Sequence, residues 1–500
     1  MDLKKVQLPL QTFSLVAGFI VWVILSSLLP FIKEDLSLSA VQASWVTAVP
    51  VVLGSILRIP LGYLTNRYGA RMVFTVSFLL LMGPLFYISI ADSFADLIVG
   101  GFFLGIAGAI FSIGVTSLPK YYPKNRHGFV NGVYGLGNIG TAITSFSAPI
   151  AAAQFGWPAT VRMAIVIMGL FVALNLMLGD RQEPKVKTSL TQQVRQVYRN
   201  ASLWALSLFY FITFGAFVAF TVFLPHFLVS NFGLDKVDAG LRTAGFIVLA
   251  TGLRPLGGWM GDRWNPFVVL MFVFGGLTLS GVLLSFSPTI GLYTIGSLMV
   301  AVFAGIGNGT VFKLVPLYFS KQAGIANGVV SAMGGLGGFF PPLILATLFE
   351  MTGHYAIGFM ALSEISLASL MIVLWMFYQG RLKLATDIVE YTAEGILITD
   401  ANGLIQSINP AFTKLTGYRK EEVVGKKTSI LKSGKHESSF YKDMWADIEQ
   451  YGYWQGEIWN KRKTGELYPQ WLTISAIKNE AGEVKGYAGM FSDISKQKTK

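Results

Sequence analysis

The sequence contains no cysteine and only four histidines among 500 residues. The missing cysteines exclude disulfides, thiolate nucleophiles and thiolate metal ligands. The histidines (His127, His226, His354 and His436) lie far apart in the sequence, so we expect no metal site. Charged residues are also scarce at 13%, whereas hydrophobic residues make up 53%. A composition this apolar argues against an ordinary soluble protein.

Other signals of chemistry are weak or missing. We find no nucleophile, metal-ligand spacing or phosphate-binding loop, so we do not expect an enzyme. The net charge is +12, but no basic stripe alternates with aromatic residues, which argues against nucleic acid. Residues 135–140 match the dinucleotide pattern G-x-G-x-x-G, yet no strand precedes them and they lie in an apolar run. We therefore expect no cofactor in the apolar part of the chain.

Long apolar runs predict the fold class. A membrane-spanning helix needs about 20 apolar residues. Twelve such runs occur, at residues 11–30, 40–64, 72–91, 95–118, 128–151, 159–178, 203–228, 239–260, 266–286, 290–317, 324–349 and 355–377. The longest loop between them, residues 181–202, is basic and separates residues 1–180 from residues 203–380. The sequence thus predicts an all-α membrane protein with twelve transmembrane helices in two six-helix halves.

Basic residues are concentrated on one side of these predicted spans. An excess of Lys and Arg in short loops marks the cytoplasmic side of a bilayer. Besides the linker, the basic residues on this side are Lys4, Lys5, Arg67, Arg71, Lys120, Lys124, Arg126, Arg263, Lys321, Arg381 and Lys383. We therefore expect a multi-pass protein of the cytoplasmic membrane, with both termini and the linker in the cytoplasm.

The two halves repeat features at one spacing. Residues 327–329 (Asn-Gly-Val) follow an identical triplet at residues 131–133 by 196 positions. The same offset relates a second set, in which Arg58, Gly62, Asn66 and Arg67 correspond to Arg254, Gly258, Asp262 and Arg263. Shared spacing of two unrelated features indicates two related halves, as in many secondary transporters.

Arg58 and Arg254 are the strongest candidates for a binding site. Each lies inside an apolar run, where an arginine costs roughly 2.5–3.5 kcal/mol on insertion scales. A buried ion pair is the structural alternative, but neither run carries a carboxylate near its middle. Two planar guanidinium groups, one from each half, suit a small planar oxyanion. Asn138 is a further candidate, either as a ligand or in an interhelical hydrogen bond.

These residues, with the glycine-rich stretches around Asn138 and Gly335, carry a resemblance to the nitrate/nitrite porter family of the major facilitator superfamily. The resemblance covers roughly residues 10–378. It implies alternating-access transport of nitrate and nitrite. The residues that it implies around the anion are Arg58, Arg254, Asn138, Phe111, Tyr210, Phe214, Gly335 and Gly337. Without the resemblance, we would interpret Phe111, Tyr210 and Phe214 as core packing.

The loops at residues 62–71 and 258–263 resemble the cytoplasmic loop motif of the same superfamily. Such loops can latch helix ends through charge and helix-dipole contacts. The latch residues are Asn66, Arg67, Arg71, Asp262 and Arg263, with Asn66 standing where an aspartate is usual. We expect this substitution to weaken the first latch.

The membrane potential opposes anion entry by about 2.3 kcal/mol per charge per 100 mV, so uptake needs a driving ion or a counter-anion. We expect coupling to protons, with Glu364 and Lys313 as the titratable groups inside spans. A static ion pair between these two residues is the alternative. The family resemblance permits both symport and nitrate/nitrite antiport.

After Gly380 the composition becomes mixed and charged. Alternating apolar residues predict strands at residues 395–400, 405–408, 454–461, 467–477 and 484–493, with helices at 410–416 and 437–450. The pattern predicts a small α+β domain. Residues 385–497 resemble a PAS sensor domain, carried by the segments 395–400, 409–412, 416–418, 454–457, 460–463 and 491–494.

The PAS resemblance does not decide a ligand. FAD is a candidate, although the missing cysteine excludes flavin–cysteinyl photochemistry, and His436 is more readily a solvated loop residue than a haem ligand. The short connection at residues 380–387 leads us to expect the domain beneath the cytoplasmic face, with cis regulation of transport or protein contacts as its role. A nitrate receptor that signals through this domain is the competing hypothesis.

Overall fold

The computed structural model describes residues 3–186, 190–234, 236–286, 289–320, 322–352, 356–479 and 482–495. Clustering of contacts divides the chain into two compact units, Met1–Trp375 and Met376–Lys500. Lys187, Lys321 and Tyr355, which belong to predicted loops and spans, lie outside the described residues.

The first half of the membrane unit consists of helices that often continue one another across a single residue. Their bounds are α1 (Leu3–Trp22), α2 (Ile24–Leu36), α3 (Ala40–Ile56), α4 (Arg58–Tyr68), α5 (Ala70–Ile88), α6 (Phe94–Leu104), α7 (Ile106–Ala109), α8 (Phe111–Ser117), α9 (His127–Gly135), α10 (Ile139–Phe155) and α11 (Trp157–Leu178). Short 3-10 turns occupy Leu118–Tyr121, Lys124–Arg126 and Leu136–Asn138.

The second half has longer and more continuous helices. They follow a short linker helix, α12 (Leu190–Tyr198), and are α13 (Ala201–Phe232), α14 (Lys236–Gly252), α15 (Arg254–Arg263), α16 (Pro266–Ser285), α17 (Ile290–Tyr318), α18 (Ala323–Thr352) and α19 (Ala356–Tyr391). The predicted linker loop is thus partly helical. The last span also continues as helix beyond the predicted end at residue 377, through the predicted connection.

Nine helices among the described residues are long and apolar enough to cross a membrane, and the bent pair α3–α4 makes ten. The two predicted spans that fall short are the fifth, at α9–α10, and the eighth, at α14–α15. Glycine, asparagine and threonine dilute the fifth span, and charged residues dilute the eighth. Both carry candidate site residues, so the weak hydropathy coincides with the site.

Both arginine-bearing spans are interrupted immediately before the arginine. Helices α3 and α4 meet at Leu57 with a bend of 42°. The backbone ladder still continues, because the Leu57 N–H donates to Leu53 O at 2.9 Å and the Leu61 N–H donates to Leu57 O at 3.0 Å. Leu253 occupies the corresponding position between α14 and α15. The helical segment after each interruption therefore begins at the arginine, α4 at Arg58 and α15 at Arg254.

Glycines bring the two halves into backbone contact. A Cβ built on Gly62 would lie 2.2 Å from Gly324 O, and one built on Gly258 would lie 2.0 Å from Gly128 O. One turn further along, a Cβ on Gly328 would lie 2.7 Å from Arg58 O. Only glycine permits such close approach. These contacts lie towards the predicted cytoplasmic ends, where the two halves pack backbone against backbone.

The linker is attached to the first half by a buried carboxylate. Glu183 is 3% exposed and accepts a hydrogen bond from the Ala70 N–H at 2.7 Å, at the start of α5. It also forms a 2.9 Å ion pair with Lys120. A carboxylate at a helix N-terminus is stabilised by the helix dipole. The linker is therefore anchored before it reaches α12.

The second unit contains a five-stranded antiparallel sheet in the order β2-β1-β5-β4-β3. The strands are β1 (Gly395–Asp400), β2 (Ile405–Ile408), β3 (Tyr453–Lys461), β4 (Leu467–Lys478) and β5 (Val484–Asp493). The helices are α20 (Pro410–Thr416), α21 (Lys420–Val423) and α22 (Ser438–Tyr451), with a 3-10 turn at Thr428–Leu431. Every predicted strand agrees within a residue. Residues 480 and 481, in the predicted turn before β5, lie outside the described residues.

Substituting Gly328 tests the contact between the halves. We expect Gly328→Ala to lower the nitrate transport that the family resemblance implies at least about tenfold, because its Cβ would meet the backbone of Arg58 and Ile59. Gly275→Ala is the matched control, since no atom lies within 4 Å of a Cβ built there. Uptake is measured in liposomes at equal protein content. Equal activity of the two variants would contradict the predicted contact.

Candidate functional site

Arg58 and Arg254 are both buried, each with 1% of its surface exposed. Arg58 donates from Nε to Gly108 O at 3.1 Å and from Nη1 to Ser331 O at 2.5 Å. In contrast, Arg254 Nε and Nη2 are buried without any hydrogen-bond partner. No carboxylate of the described residues lies within ion-pair distance of either guanidinium group. The ion-pair alternative is therefore wrong for the part of the chain that the structure describes.

One phenylalanine connects the two arginines. The ring of Phe214 lies 5.4 Å from Arg58 Cζ and 5.3 Å from Arg254 Cζ, so both cations are within cation–π range of it. Phe111 lies 5.6 Å from Arg58 Cζ, and Phe217 lies 5.2 Å from Arg254 Cζ. The arginines from the two halves therefore meet at a shared aromatic cluster.

Tyr210 belongs to the same cluster. Its ring stacks on Phe214 at 5.1 Å and lies 6.2 Å from Phe111. Phe312, which sequence reasoning did not single out, completes the cluster at 4.7 Å from Tyr210 and 5.3 Å from Phe111. The predicted residues Phe111, Tyr210 and Phe214 thus lie together beside the arginines.

Each arginine also lies against a glycine from the opposite half. A Cβ built on Gly135 would lie 2.9 Å from Arg254 Cδ, and one built on Gly335 would lie 3.5 Å from Arg58 Nη1. Gly337 has a different neighbour, because its Cβ would meet Phe211 O at 2.2 Å within its own half. Gly335 therefore borders the site, whereas Gly337 serves helix packing.

Asn138 is fully buried in the 3-10 turn next to Gly135. Its Nδ2 donates to Gly135 O at 2.6 Å, while Oδ1 has no partner. This hydrogen bond stays within its own segment, so the interhelical alternative finds no support among the contacts of the described residues. The free end of the amide is available to a ligand or to water.

Sequence reasoning did not single out several buried polar groups of the membrane unit. Ser55 Oγ, Thr251 Oγ1 and both side-chain atoms of Asn308 are buried without hydrogen-bond partners. Buried polar groups are nearly always hydrogen-bonded in proteins, so such a set calls for a missing partner. Hydroxyl and amide residues are common in membrane helices, so their presence in an apolar run does not by itself indicate a site.

The latch residues behave differently in the two halves. Asp262 accepts hydrogen bonds from the Gly128 N–H at 3.0 Å and the Phe129 N–H at 2.7 Å, which cap α9 of the other half. Asn66 lies at the equivalent place beside α18, with its Nδ2 2.5 Å from a Cβ built on Gly324. Asn66 carries no charge to interact with the helix dipole, whereas Asp262 does.

The basic latch residues do not cross between halves in the described contacts. Arg67 donates to Tyr63 Oη at 2.8 Å within α4, and Arg71 donates to Leu176 O at 2.9 Å. The guanidinium carbon of Arg263 lies 5.9 Å from the ring of Trp259 on its own helix. Only Asp262 and Asn66 of the predicted latch reach the opposite half.

The two predicted coupling residues do not pair with each other. Lys313 is buried and forms a 2.6 Å ion pair with Asp262. It also donates to Lys124 O. Glu364 is exposed on the outer face of α19. The static Glu364–Lys313 pair is therefore wrong, because the helices turn these side chains in different directions.

In the second unit, eight apolar side chains pack into one buried cluster that includes Phe412, Leu472 and Phe491. On β4, the Tyr468 hydroxyl donates to Gln470 Oε1 at 2.8 Å. His436 is not a solvated residue, because its Nε2 accepts from the Trp459 N–H at 2.9 Å and its ring stacks on Phe440. The described residues thus fit a packed core better than a flavin site.

An ion pair connects the C-terminal ends of strands β3 and β5 in this unit. Arg462 Nη2 lies 2.5 Å from Asp493 Oδ2. Burial alone would raise the pKa of Asp493, but hydrogen bonds donated by Ser495 and Arg462 lower it below the ordinary value. The carboxylate is therefore ionised at neutral pH and holds β3 to β5.

Comparison with known families and proteins matches both units. The model of the Major Facilitator Superfamily matches residues 12–342 and 229–387, and a PAS domain model matches residues 393–496. A relative called nitrite extrusion protein, from Bacillus subtilis strain 168, is 67% identical over 384 residues, which are 77% of this chain and 97% of that protein.

Two further comparisons agree with this result. A protein called probable nitrate transporter NarT, from Staphylococcus epidermidis, is 54% identical over 366 residues, covering 72% of this chain and 95% of that protein. The solved structure of the human organic anion transporter MFSD10 (TETRAN) aligns with a TM-score of 0.63 at 13% identity. It covers 74% of this chain and 99% of that structure, and at this identity the likeness concerns the fold alone.

Proposed function

This chain belongs to the major facilitator superfamily and carries a C-terminal PAS domain, and on that premise we propose that it transports nitrate and nitrite across the cytoplasmic membrane by alternating access. The arginine pair is the observation that carries the proposal. It supplies two buried positive charges that no described carboxylate neutralises. The names of the two relatives, a nitrite extrusion protein and a nitrate transporter, support the same substrate class.

Energetics favour an anion between the arginines. Arg58 Cζ and Arg254 Cζ lie 5.4 Å and 5.3 Å from the centre of the Phe214 ring. The two charges are therefore less than about 11 Å apart and repel by roughly 1.5 kcal/mol or more at an effective dielectric constant of about 20. A bound anion would replace this repulsion with attraction and give Arg254 Nε and Nη2 their missing acceptor. The planar guanidinium fork matches the planar oxygens of nitrate or nitrite better than a lysine would. The neighbouring rings exclude water and restrict the size of the substrate.

Glycines couple binding to movement of the halves. Gly135 and Gly335 each face the arginine of the other half, so an anion held by both arginines draws the halves together. The latch at Asp262 supports the closed cytoplasmic side, and its contacts must break when that side opens. We propose that substrate binding and latch release alternate in this way during transport.

We further propose that nitrate enters in exchange for nitrite. No described carboxylate contacts the arginine pair, Glu364 is exposed on the outer face of the bundle, and Lys313 is already paired. The site therefore lacks an evident proton acceptor beside the substrate. Exchange of one monovalent anion for another is electroneutral, so the membrane potential does not oppose it. Proton symport, expected from the sequence, is the competing mode.

For the PAS domain we propose regulation of transport in cis. Helix α19 begins in the membrane unit and ends at Tyr391, close to β1. Asn409, which is 3% exposed, donates from Nδ2 to both Val389 O and Glu394 O at 2.9 Å. Its Oδ1 accepts from the Ile396 N–H at 2.8 Å. The Asn409 side chain therefore links the end of α19 to β1. A conformational change in the PAS domain would alter these hydrogen bonds and so the end of the helix.

Lysine substitution of either arginine tests the anion site. We expect Arg58→Lys and Arg254→Lys to raise the KM for nitrate at least about tenfold, because lysine keeps the charge but loses the planar fork. Uptake is measured in liposomes, with Arg162→Lys as a control that lies outside the site. Near-normal uptake by both variants at matched protein content would exclude the proposed site, and binding without uptake by the native protein would favour a receptor.

Loaded vesicles distinguish the two coupling modes. We expect nitrate to enter vesicles that contain nitrite, and to enter nitrite-free vesicles slowly whether or not a pH gradient is imposed. We also expect Glu364→Gln to leave the rate unchanged, because that carboxylate is exposed away from the arginines. Fast uptake into nitrite-free vesicles that depends on an acidic exterior would instead establish proton symport.

The connection through Asn409 is tested by separating regulation from transport. We expect removal of residues 393–500 to leave nitrate flux present but to abolish its response to redox state or nitrate concentration on the cytoplasmic side. Asn409→Ala should reproduce that loss, whereas Asn402→Ala, at an exposed turn, should not. If full-length and truncated proteins respond identically under all these conditions, regulation in cis is wrong.

A further inference from the structure

Two hydroxyl groups without partners occupy equivalent positions in the two halves. Ser55 and Thr251 are separated by 196 residues, the same offset that relates Arg58 to Arg254. Ser55 is 2% exposed and Thr251 is 1% exposed, and neither hydroxyl oxygen has a hydrogen-bond partner. Among the other unpartnered hydroxyls of the described residues, only Tyr210 has a hydroxyl residue at this offset. That residue, Ser14, already accepts a hydrogen bond from Asn175 Nδ2 at 2.9 Å, so Ser55 and Thr251 are the pair in which both hydroxyls lack a partner.

A hydroxyl inside a membrane helix ordinarily bonds to the carbonyl four residues earlier. Thr243, on the same helix as Thr251, does so with Ala239 O at 2.8 Å, and Ser280 does so with Gly276 O at 2.6 Å. The equivalent carbonyls for Ser55 and Thr251 are Val51 O and Ile247 O, and neither bond forms. Both hydroxyl groups are therefore free to bond to something other than their own helix.

Helix geometry places each hydroxyl beside its arginine. Residues three apart share a helix face, and side chains lean towards the N-terminus, so each arginine lies over the turn that carries the hydroxyl. In the first half both groups border Gly335, because a Cβ built on that glycine would lie 2.4 Å from Ser55 Oγ and 3.5 Å from Arg58 Nη1. In the predicted orientation, each hydroxyl lies on the extracellular side of its arginine.

We propose that Ser55 and Thr251 are matched hydrogen-bond donors to the transported oxyanion, one from each half. The inference rests on the proposed transport function and adds two residues to its site. The arginines bind the charge of the anion, and the hydroxyls bond to oxygens that face the extracellular side. An anion arriving from outside would meet these hydroxyls first. Their loss therefore weakens binding without removing the positive charge that attracts the substrate.

The proposal is tested with Ser55→Ala, Thr251→Val and the double variant in proteoliposomes. We expect the KM for nitrate to rise about tenfold in each single variant, or about 1.4 kcal/mol, and further in the double variant. Thr251→Ser retains the hydroxyl and should restore the native KM. Ser280→Ala and Thr243→Val remove equally buried hydroxyls that bond only to their own helix, and should leave the KM unchanged.

A binding measurement distinguishes weaker nitrate binding from misfolding of the variants. A ligand raises the melting temperature according to its occupancy, so the double variant should need about tenfold more nitrate for the shift seen in the native protein. If the double variant needs no more nitrate than the controls, the hydroxyl inference is wrong.

Arg58→Lys in the same assays separates this inference from the transport proposal. A loss of affinity in Arg58→Lys without a loss in the hydroxyl variants contradicts only the hydroxyl inference. An unchanged affinity in Arg58→Lys contradicts the arginine site itself.

Discussion

Two buried guanidinium groups that share the ring of Phe214 are the constraint on which the rest of the membrane unit depends. Neither has a counter-charge among the described residues, and Arg254 has donors without acceptors. Burying an unpaired charge is expensive, so the surrounding fold must hold both arginines in place. Aromatic rings supply partial compensation through cation–π contact, and they do so without neutralising the charge. The residual positive potential remains available to an anion.

The glycines follow from this constraint. Since the two arginines belong to different halves, the halves must approach closely while remaining able to separate. Gly128 and Gly258 on one side, and Gly62 and Gly324 on the other, allow backbones to touch without interlocking side chains. Gly258 follows Gly62, and Gly324 follows Gly128, by the same 196 residues that separate the two arginines. Equivalent glycines of the two halves therefore form both contacts.

The charges at the cytoplasmic ends break this symmetry. Asp262 caps α9 and pairs with the buried Lys313, whereas the uncharged Asn66 stands beside α18. Asp262 and Lys313 both belong to the second half, and each also bonds to the first half, Asp262 to the N–H groups at the start of α9 and Lys313 to Lys124 O. The second-half latch therefore crosses between the halves with charged groups, whereas its first-half counterpart does so with the uncharged Asn66. Glu183 provides a carboxylate on the side of Asn66, but it caps α5 within its own half. The two cytoplasmic contacts therefore differ in how strongly they resist opening.

The sequence by itself determined the features that depend on local pattern. Apolar runs predicted the membrane helices, of which nine, or ten with the bent pair α3–α4, are long and apolar enough to span a membrane among the described residues. Alternating residues specified the PAS strands to within a residue, and a lone arginine in each half indicated the candidate site. The partner of Lys313, the interruptions before Arg58 and Arg254, and the continuation of α19 depended on packing between elements. Ser55 and Thr251 illustrate the reason most clearly. A hydroxyl in a membrane helix usually bonds to its own backbone, and only the placement of neighbouring helices decides which hydroxyl is left free.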